Sequence, residues 1–371
     1  MKKHQKHTKL TLRDNDTFAP NEIAILGTKC GVIADLVTQI SERLSDYKIA
    51  YFDASHSKDV QKNKLSNYVF HHEGNVQITS TEAVNKFNQQ IQFSQYDYVF
   101  INGNHYQGSK QILVLDAEKE ASVLKRLDQL GSIQFVIKMT DNSKFFPFLE
   151  EKYPQIKNLT CYTINEVDKI ANHIKNLIKE KIAPIKGLVL VGGKSTRMGT
   201  NKSELNYHGK PQKEYVKELL ENNNLQTFYS IEKASEKEEE IADTFLNLGP
   251  FGGICAAFQK DPNSAWFVVA TDVPFVDKNL IRLLLQKRNS SKIATTIKGK
   301  NKQFPEPLIT IWEPKAYPIL LQYLAQGYSC PRKILINSDI EIVEVEDNFI
   351  RNINTPEEFE LAKKNIKNKR K

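Results

Sequence analysis

The sequence predicts an α/β protein of two domains, each a mostly parallel sheet with helices on both faces, and three observations carry that prediction. The chain has 371 residues, enough to bury two hydrophobic cores when length is used as a prior. Strand-sized apolar runs alternate with stretches whose apolar residues recur at helical spacing, the pattern of a parallel sheet covered on both sides. Twice an apolar run leads through glycine into a helical pattern, at Ile23–Gly27 and again from Gly187 to Gly193.

Composition excludes several classes. Hydrophobic residues make up 40% and charged residues 26%, ordinary values for a globular chain, and no apolar run approaches the roughly 20 residues of a membrane span. No membrane partner is expected. The formal net charge of +8 is partly gathered at the two ends, without the aromatic interleaving of a nucleic-acid surface, so no nucleic acid is expected either. A basic balance also suits an enzyme that gathers phosphorylated substrates. The four cysteines, Cys30, Cys161, Cys255 and Cys330, form no CxxC pair and read as free thiols, and the lysine-rich start lacks the apolar stretch of a secretory signal. A cytoplasmic protein is the expectation.

Along the chain, residues 1–20 read as a basic tail and residues 21–180 as a first domain. Its strands are expected at Ile23–Leu26, Ile49–Phe52, Val76–Ile78, Tyr98–Ile101, Ile112–Leu115 and Gln134–Ile137, with helices up to Leu44 and over Asn165–Lys179. The stretch Lys179–Lys186, with Ala183-Pro184, marks the boundary. The second domain, 186–371, is expected to have strands at Gly187–Val191, Thr227–Ile231, Trp266–Ala270, Ile293–Ile297, Leu308–Ile311 and Ile340–Val345. Its helices are expected near Gln212–Glu221, Gly253–Gln259, Lys278–Lys287, Lys315–Ala325 and Pro356–Lys364. The acidic run Glu232–Glu240 reads as an exposed helix or loop.

The loop that opens the second domain holds the most chemistry. Gly192 and Gly193 leave the strand, letting backbone approach a ligand, and Lys194, Arg197 and Lys202 supply cations. Backbone N–H groups in such a turn cradle phosphates, and the cations suit a nucleoside triphosphate whose charge must be offset before an anionic nucleophile approaches. The loop is neither GxxxxGK[ST] nor GxGxxG, which argues against P-loop hydrolysis and dinucleotide binding. Further on, Trp266–Ala270 is a buried-type strand followed by Thr271-Asp272. A carboxylate at that end lies where open α/β sheets bind ligands, and a hard oxygen there can hold Mg²⁺. The alternative is that Asp272 caps the helix after Pro274.

The run Leu190-Val191-Gly192-Gly193-Lys194-Ser195-Thr196-Arg197-Met198-Gly199-Thr200-Asn201-Lys202 resembles the signature of the molybdenum cofactor guanylyltransferase family, roughly L-A-G-G-x-S-x-R-M-G-x-D-K. The segment Asp272-Val273-Pro274, the turn Gly249-Pro250-Phe251-Gly252-Gly253 and the stretch Asn352-Ile353-Asn354-Thr355-Pro356-Glu357-Glu358-Phe359 are similar to further motifs of that family, in the same order. The resemblance implies a Rossmann-like nucleotidyltransferase domain that moves GMP from Mg-GTP to molybdopterin or molybdenum cofactor and releases pyrophosphate. It implies Arg197, Lys202 and Asp272 as catalytic residues, Asp272 also as the Mg²⁺ ligand, and Leu190, Val191, Gly192, Gly193, Lys202, Ser230, Asp243 and Asp272 at the nucleotide. Asn352 and Asn354 fall at the acceptor side, with Glu306 and Arg332 nearby, and molybdoenzyme clients would take the product. Asn201 stands where the family has Asp, Val191 where it has Ala, and Ser230 where it tends to have Asn. Another NTP or acceptor, such as CTP or a sugar or polyol phosphate, and a catalytically impaired nucleotide-binding regulator are the competing readings.

In the first domain, Gly27-Thr28-Lys29-Cys30-Gly31 sits where a P-loop would sit but lacks Gly-Lys-[Ser/Thr]. Together with Tyr98-Val99-Phe100-Ile101-Asn102-Gly103, it resembles the GTP-binding adaptor family that accompanies these guanylyltransferases, with a degenerate P-loop. His105 and the pair His71-His72 have no partner at metal-ligand spacing and read as exposed loop histidines.

Overall fold

The computed structural model describes residues 9–55, 65–80, 83, 85–191, 202–233, 237–353 and 355–369. The chain divides into two compact units, Asn15–Lys181 and Ile182–Lys371, the second joined by residues 9–14. Asn263 holds that amino-terminal stretch: its Oδ1 accepts from the Asp14 N–H at 2.7 Å and its amide donates to the Leu12 carbonyl at 3.3 Å.

In the first unit, strand β1 (Glu22–Leu26) is followed by helix α1 (Cys30–Arg43), β2 (Ile49–Phe52), β3 (Asn67–Phe70) and β4 (Val76–Thr79). Then come α2 (Lys86–Phe93), β5 (Tyr98–Asn102), β6 (Gln111–Leu115), α3 (Glu120–Lys125), β7 (Ile133–Lys138), α4 (Pro147–Lys152), β8 (Cys161–Thr163) and α5 (Val167–Glu180). Six strands form one parallel sheet in the order β2-β5-β1-β6-β7-β8. Successive residues of β1 point to opposite faces. Ile23 and Ile25 therefore join α1 and α5 in one core, while Leu26 packs with α3 and α4 on the other side. Val76–Ile78 does not enter this sheet as expected. It pairs antiparallel with β3 in a separate hairpin, since a short alternating apolar run fixes strand character but not its partner.

The second unit runs β9 (Ile185–Leu190), α6 (Gln212–Glu221), β10 (Thr227–Ile231), β11 (Glu240–Ala242), α7 (Pro250–Lys260), β12 (Ala265–Ala270) and α8 (Lys278–Gln286). It continues with β13 (Ala294–Gly299), β14 (Glu306–Trp312), α9 (Ala316–Ala325), α10 (Pro331–Ile336), β15 (Glu341–Val345) and α11 (Pro356–Lys369). The sheet order is β11-β10-β9-β12-β14-β13-β15, with β14 antiparallel to both neighbours and every other pairing parallel. Alternation along β12 again makes two cores. Trp266 and Val268 pack with α7 and α9, and Phe267 and Val269 pack with α6 and α8.

Two local devices complete the unit. Arg288 grips the nearly inaccessible Glu313 through Nε and Nη2 at 2.7 and 2.8 Å and donates to the Ala183 carbonyl at 2.8 Å, locking the end of β14 to the entry of β9. Helix α11 opens with a reciprocal capping box: Thr355 N–H donates to Glu358 and Glu358 N–H donates to the Thr355 hydroxyl, both at 3.2 Å. Among the described residues no helix is long and apolar enough to cross a membrane.

Candidate active site

From β9 the connection to β10 runs to one side of the sheet, whereas β12 lies on the other. The order reverses between β9 and β12, and the crevice at the carboxyl ends of such strands is where open α/β sheets take ligands. The sequence places Leu190, Val191, Ser230 and Asp272 at those ends, and the structure brings them to one edge. Thr271 donates through Oγ1 to the Leu190 carbonyl at 3.3 Å, and Val191 N–H donates to the Ser230 carbonyl at 3.3 Å. Gly192, Gly193, Arg197, Asn201 and Asn354 lie outside the described residues.

Asp272 is half-buried at this edge. Its backbone carbonyl accepts from the Ile353 N–H at 3.1 Å, so the segment carrying Asn352 is moored directly to it. Burial pushes the carboxyl pKa of Asp272 upward, and the Lys202 ammonium pulls against that shift. Lys202 and Asp272, seventy positions apart in the chain, thus face each other electrostatically. Asp272 Oδ1 is buried and accepts no hydrogen bond among the described residues, and Asn352 Oδ1 is in the same state. The capping alternative fails: helix α8 is capped by Asp277, whose Oδ1 accepts from the Leu280 N–H at 2.9 Å.

A buried carboxylate oxygen without a hydrogen bond carries a desolvation cost that a cation would relieve. This donor fits a hard divalent ion. No group of three His, Cys, Asp or Glu side chains able to hold a metal occurs among the described residues, so Asp272 could anchor such an ion only if phosphate oxygens and water completed its shell.

Beside Asp272 lies a second carboxylate. Glu306 is 6% exposed, and burial raises its pKa, opposed mainly by Arg332. Arg332 Nη2 donates to Oε2 at 3.1 Å, and the Leu308 N–H donates to Oε1 at 3.2 Å. The Asp272 charge adds to the upward push on Glu306. These side chains open onto a cavity of about 700 Å³ whose walls include Lys302, Glu306, Arg332, Arg351 and Asn352. Three cations in this lining, Lys302, Arg332 and Arg351, suit an acceptor that carries phosphate. Lys302 and Arg351 belong to no motif and were not visible in the sequence. Tyr207, also unforeseen, packs with Ile353 and Phe275, and its phenol pKa is raised by burial and then by the charges of Asp272 and Glu358.

At the other end, Ser230 and Asp243 meet across β10 and β11. Ser230 Oγ donates to Asp243 Oδ1 at 3.3 Å, and burial raises the Asp243 pKa more than this bond lowers it. Helix α7 begins here with Gly249 at φ +56°, in the left-handed region, followed by Pro250. Its first turn approaches so closely that a Cβ at Gly253 would stand 2.3 Å from Ser230 Oγ, and one at Gly252 would stand 2.6 Å from the Phe245 carbonyl. Glycine here serves close approach to the Ser230–Asp243 pair.

The first unit shows a related edge. Gly27 holds φ +97°, and a Cβ there would meet the Val114 carbonyl at 2.3 Å. Thr28 donates to Asp116 at 2.7 Å, and Lys29 pairs with Glu118 at 2.6 Å. The histidine expectation is corrected at one position: His105 is not an exposed loop residue but lies against Cys30, with its Nε2 3.3 Å from Sγ, its side chain 19% accessible. His71 and His72 are exposed as expected.

Residues 187–340 match the family described as "MobA-like NTP transferase domain". The "Molybdenum cofactor biosynthesis bifunctional protein" of Synechocystis sp. is 29% identical over 56% of this chain, a match spanning 62% of its own length. The "Probable molybdenum cofactor guanylyltransferase" of Natranaerobius thermophilus is 27% identical over 48% of this chain and 95% of its own. The solved structure of Bacillus subtilis MobB is similar over 41% of this chain and 96% of its own, at 12% identity and a TM-score of 0.31. The second unit thus carries a MobA-like NTP transferase domain over residues 187–340.

Proposed function

We propose that the second domain transfers GMP from Mg-GTP to molybdopterin or molybdenum cofactor and releases pyrophosphate. The observation that carries this reading is Asp272, a half-buried carboxylate after the end of β12 whose Oδ1 is buried and accepts no hydrogen bond among the described residues. It feels the Lys202 cation, and its own charge acts on Glu306, which lines the cavity with Arg332 and Asn352. Relatives named as molybdenum cofactor guanylyltransferases support the choice of substrates.

The residues divide the work. Ser230, Asp243 and the ends of β9 and β10, Leu190 and Val191, would line the base and ribose end. Gly192, Gly193 and Arg197 belong to the loop assigned to the triphosphate. Asn352, Asn354 and the cationic cavity wall would orient the acceptor so that its phosphate oxygen lies in line with the α-phosphorus; a new P–O bond forms as the bond to pyrophosphate breaks. Lys202 and Arg197 stabilise the charge that develops on the transferring group. A Mg²⁺ held by Asp272 would supply charge neutralisation at the α-phosphate and the leaving pyrophosphate.

We assign the first domain to the adaptor class with a degenerate phosphate loop, which binds GTP weakly because Lys29 is paired with Glu118 and no Gly-Lys-[Ser/Thr] follows. The activity is assigned to the cytoplasm, in keeping with four free cysteines, and the product to molybdoenzyme clients. The test is pyrophosphate release with Mg²⁺, molybdenum cofactor and each NTP in turn, beside Asp272→Ala. Turnover with GTP that falls by roughly a hundredfold or more in the variant is expected. Turnover indifferent to Asp272 would refute the mechanism, equal use of CTP would refute the guanylyl assignment, and GTP binding without turnover would make this a regulatory protein.

A further inference from the structure

Three adjacent strands of the first sheet, β2, β5 and β1, deliver side chains to one carboxyl edge: Asp53 just after β2, Asn102 ending β5 with Asn104 and His105 behind it, and Cys30 opening α1 after β1. His105 Nε2 lies 3.3 Å from Cys30 Sγ and 3.9 Å from Asp53 Oδ1. Asn104 Nδ2 donates to the sulfur at 3.7 Å while also donating to the Thr28 carbonyl at 2.8 Å. Asn102 is fully buried, and its Nδ2 makes no hydrogen bond among the described residues. Cys30 is the first residue of a fourteen-residue helix with no side-chain cap, and the first helical N–H bond recorded there runs from Ile33 to Lys29. The unsatisfied N–H groups of such a turn favour a negative charge.

We propose that Cys30, supported by His105, Asn102 and Asn104, is a reactive thiolate site that exchanges with low-molecular-weight disulfides. The thiolate attacks one sulfur of the disulfide. A bond from Sγ to that sulfur forms as the original S–S bond breaks, and the departing thiolate takes the proton carried by His105. One disulfide replaces another, so no further oxidant is required. Cys30 is half-buried, not enclosed.

The geometry favours exchange over two neighbouring chemistries. In a hydrolytic triad the acid orients the base through the ring nitrogen remote from the nucleophile, whereas here Asp53 and Cys30 face the same nitrogen. No three metal-binding side chains form a cluster among the described residues. What remains is a stabilised soft nucleophile: burial acts to raise the Cys30 pKa, and the polar side chains of Asn102, Asn104 and His105 around the sulfur outweigh it and bring the pKa below its ordinary value. The ionisable neighbours are His105 beyond β5, Asp53 and Tyr51 from β2 and its end, and Lys29, which Glu118 engages.

The chain contains its own controls. Cys330 and Cys161 are exposed, and burial pushes Cys255 up to about 12. The full-length protein is treated with dithiodipyridine from about pH 5 to about pH 9, and each thiol is followed by peptide mass. Cys30 is expected to react roughly tenfold faster than Cys330 near pH 6, with a profile displaced to lower pH. His105→Gln should erase that advantage and leave the Cys330 rate unchanged. If Cys30 follows the same pH profile as Cys330 in the unmodified chain, or if His105→Gln leaves the Cys30 profile where it was, the assignment is wrong.

Discussion

Gly253→Ala tests the nucleotide end of the site through packing alone. The added methyl would lie 2.3 Å from Ser230 Oγ, 3.1 Å from Leu190 Cδ2 and 3.2 Å from Ser230 Cβ. Rotating the hydroxyl away breaks its 3.3 Å bond to Asp243, whose carboxyl already carries a raised pKa from burial. Leu190 blocks retreat on the other side and is itself only 6% exposed. Overpacking of this kind costs about 1–3 kcal/mol, offset by about 0.5–1 kcal/mol because alanine suits a helix better than glycine. Taken at the middle of each range, a net loss of about 1 kcal/mol remains, or a fall of roughly 2–5 °C in the melting temperature of the second unit. Thermal unfolding of Gly253→Ala, Ser230→Gly and the double variant checks this, and GTP binding by the same proteins reads the site. The double variant should recover at least about 1 kcal/mol relative to the sum of the single changes. A Gly253→Ala protein that melts at or above the parent temperature, or a pair whose effects simply add, would refute the claim that glycine is there for close approach to Ser230.

Two further outcomes follow from buried charge. Burial raises the Asp272 pKa above its ordinary 3.8, so the folded chain binds this proton more tightly than the unfolded chain; the associated stability is complete below about pH 3.8 and lost as pH rises through the folded pKa. Asp272→Asn should therefore melt higher than the parent at neutral pH, converge with it toward the ordinary carboxylate range, and lose turnover, as read by pH-dependent unfolding beside pyrophosphate release. Glu313→Gln leaves Arg288 without its bidentate partner where the two side chains are 2% and 12% accessible, and urea unfolding should show a loss of about 3–5 kcal/mol. Joint replacement by Arg288→Met and Glu313→Leu should cost much less.

The two-domain α/β plan, the strands β1, β2, β5, β6, β7, β9, β10 and β12 and the large helices were legible because apolar spacing is a local property of the chain. So was Asp272, since a carboxylate directly after a buried strand must emerge at the carboxyl edge of a sheet. Short elements were not legible: β8 and β11 have three residues each, too few to display a period, and their pairing comes from neighbours. Val76–Ile78 shows the same limit, since its strand character was local but its partner was not.

The sequence alone determined which kinds of residue are available and where strands hand over to loops, through periodicity, glycine and the ordered motifs from Leu190 to Phe359. Only the tertiary structure decided which of them meet. It inserted β14 antiparallel between β12 and β13, bringing Glu306 within reach of Asp272. It also set Lys302, Arg332 and Arg351 around one cavity and placed His105 against Cys30. Sheet order and side-chain convergence depend on the simultaneous burial of distant strands in a common core, and no window along the chain contains that information.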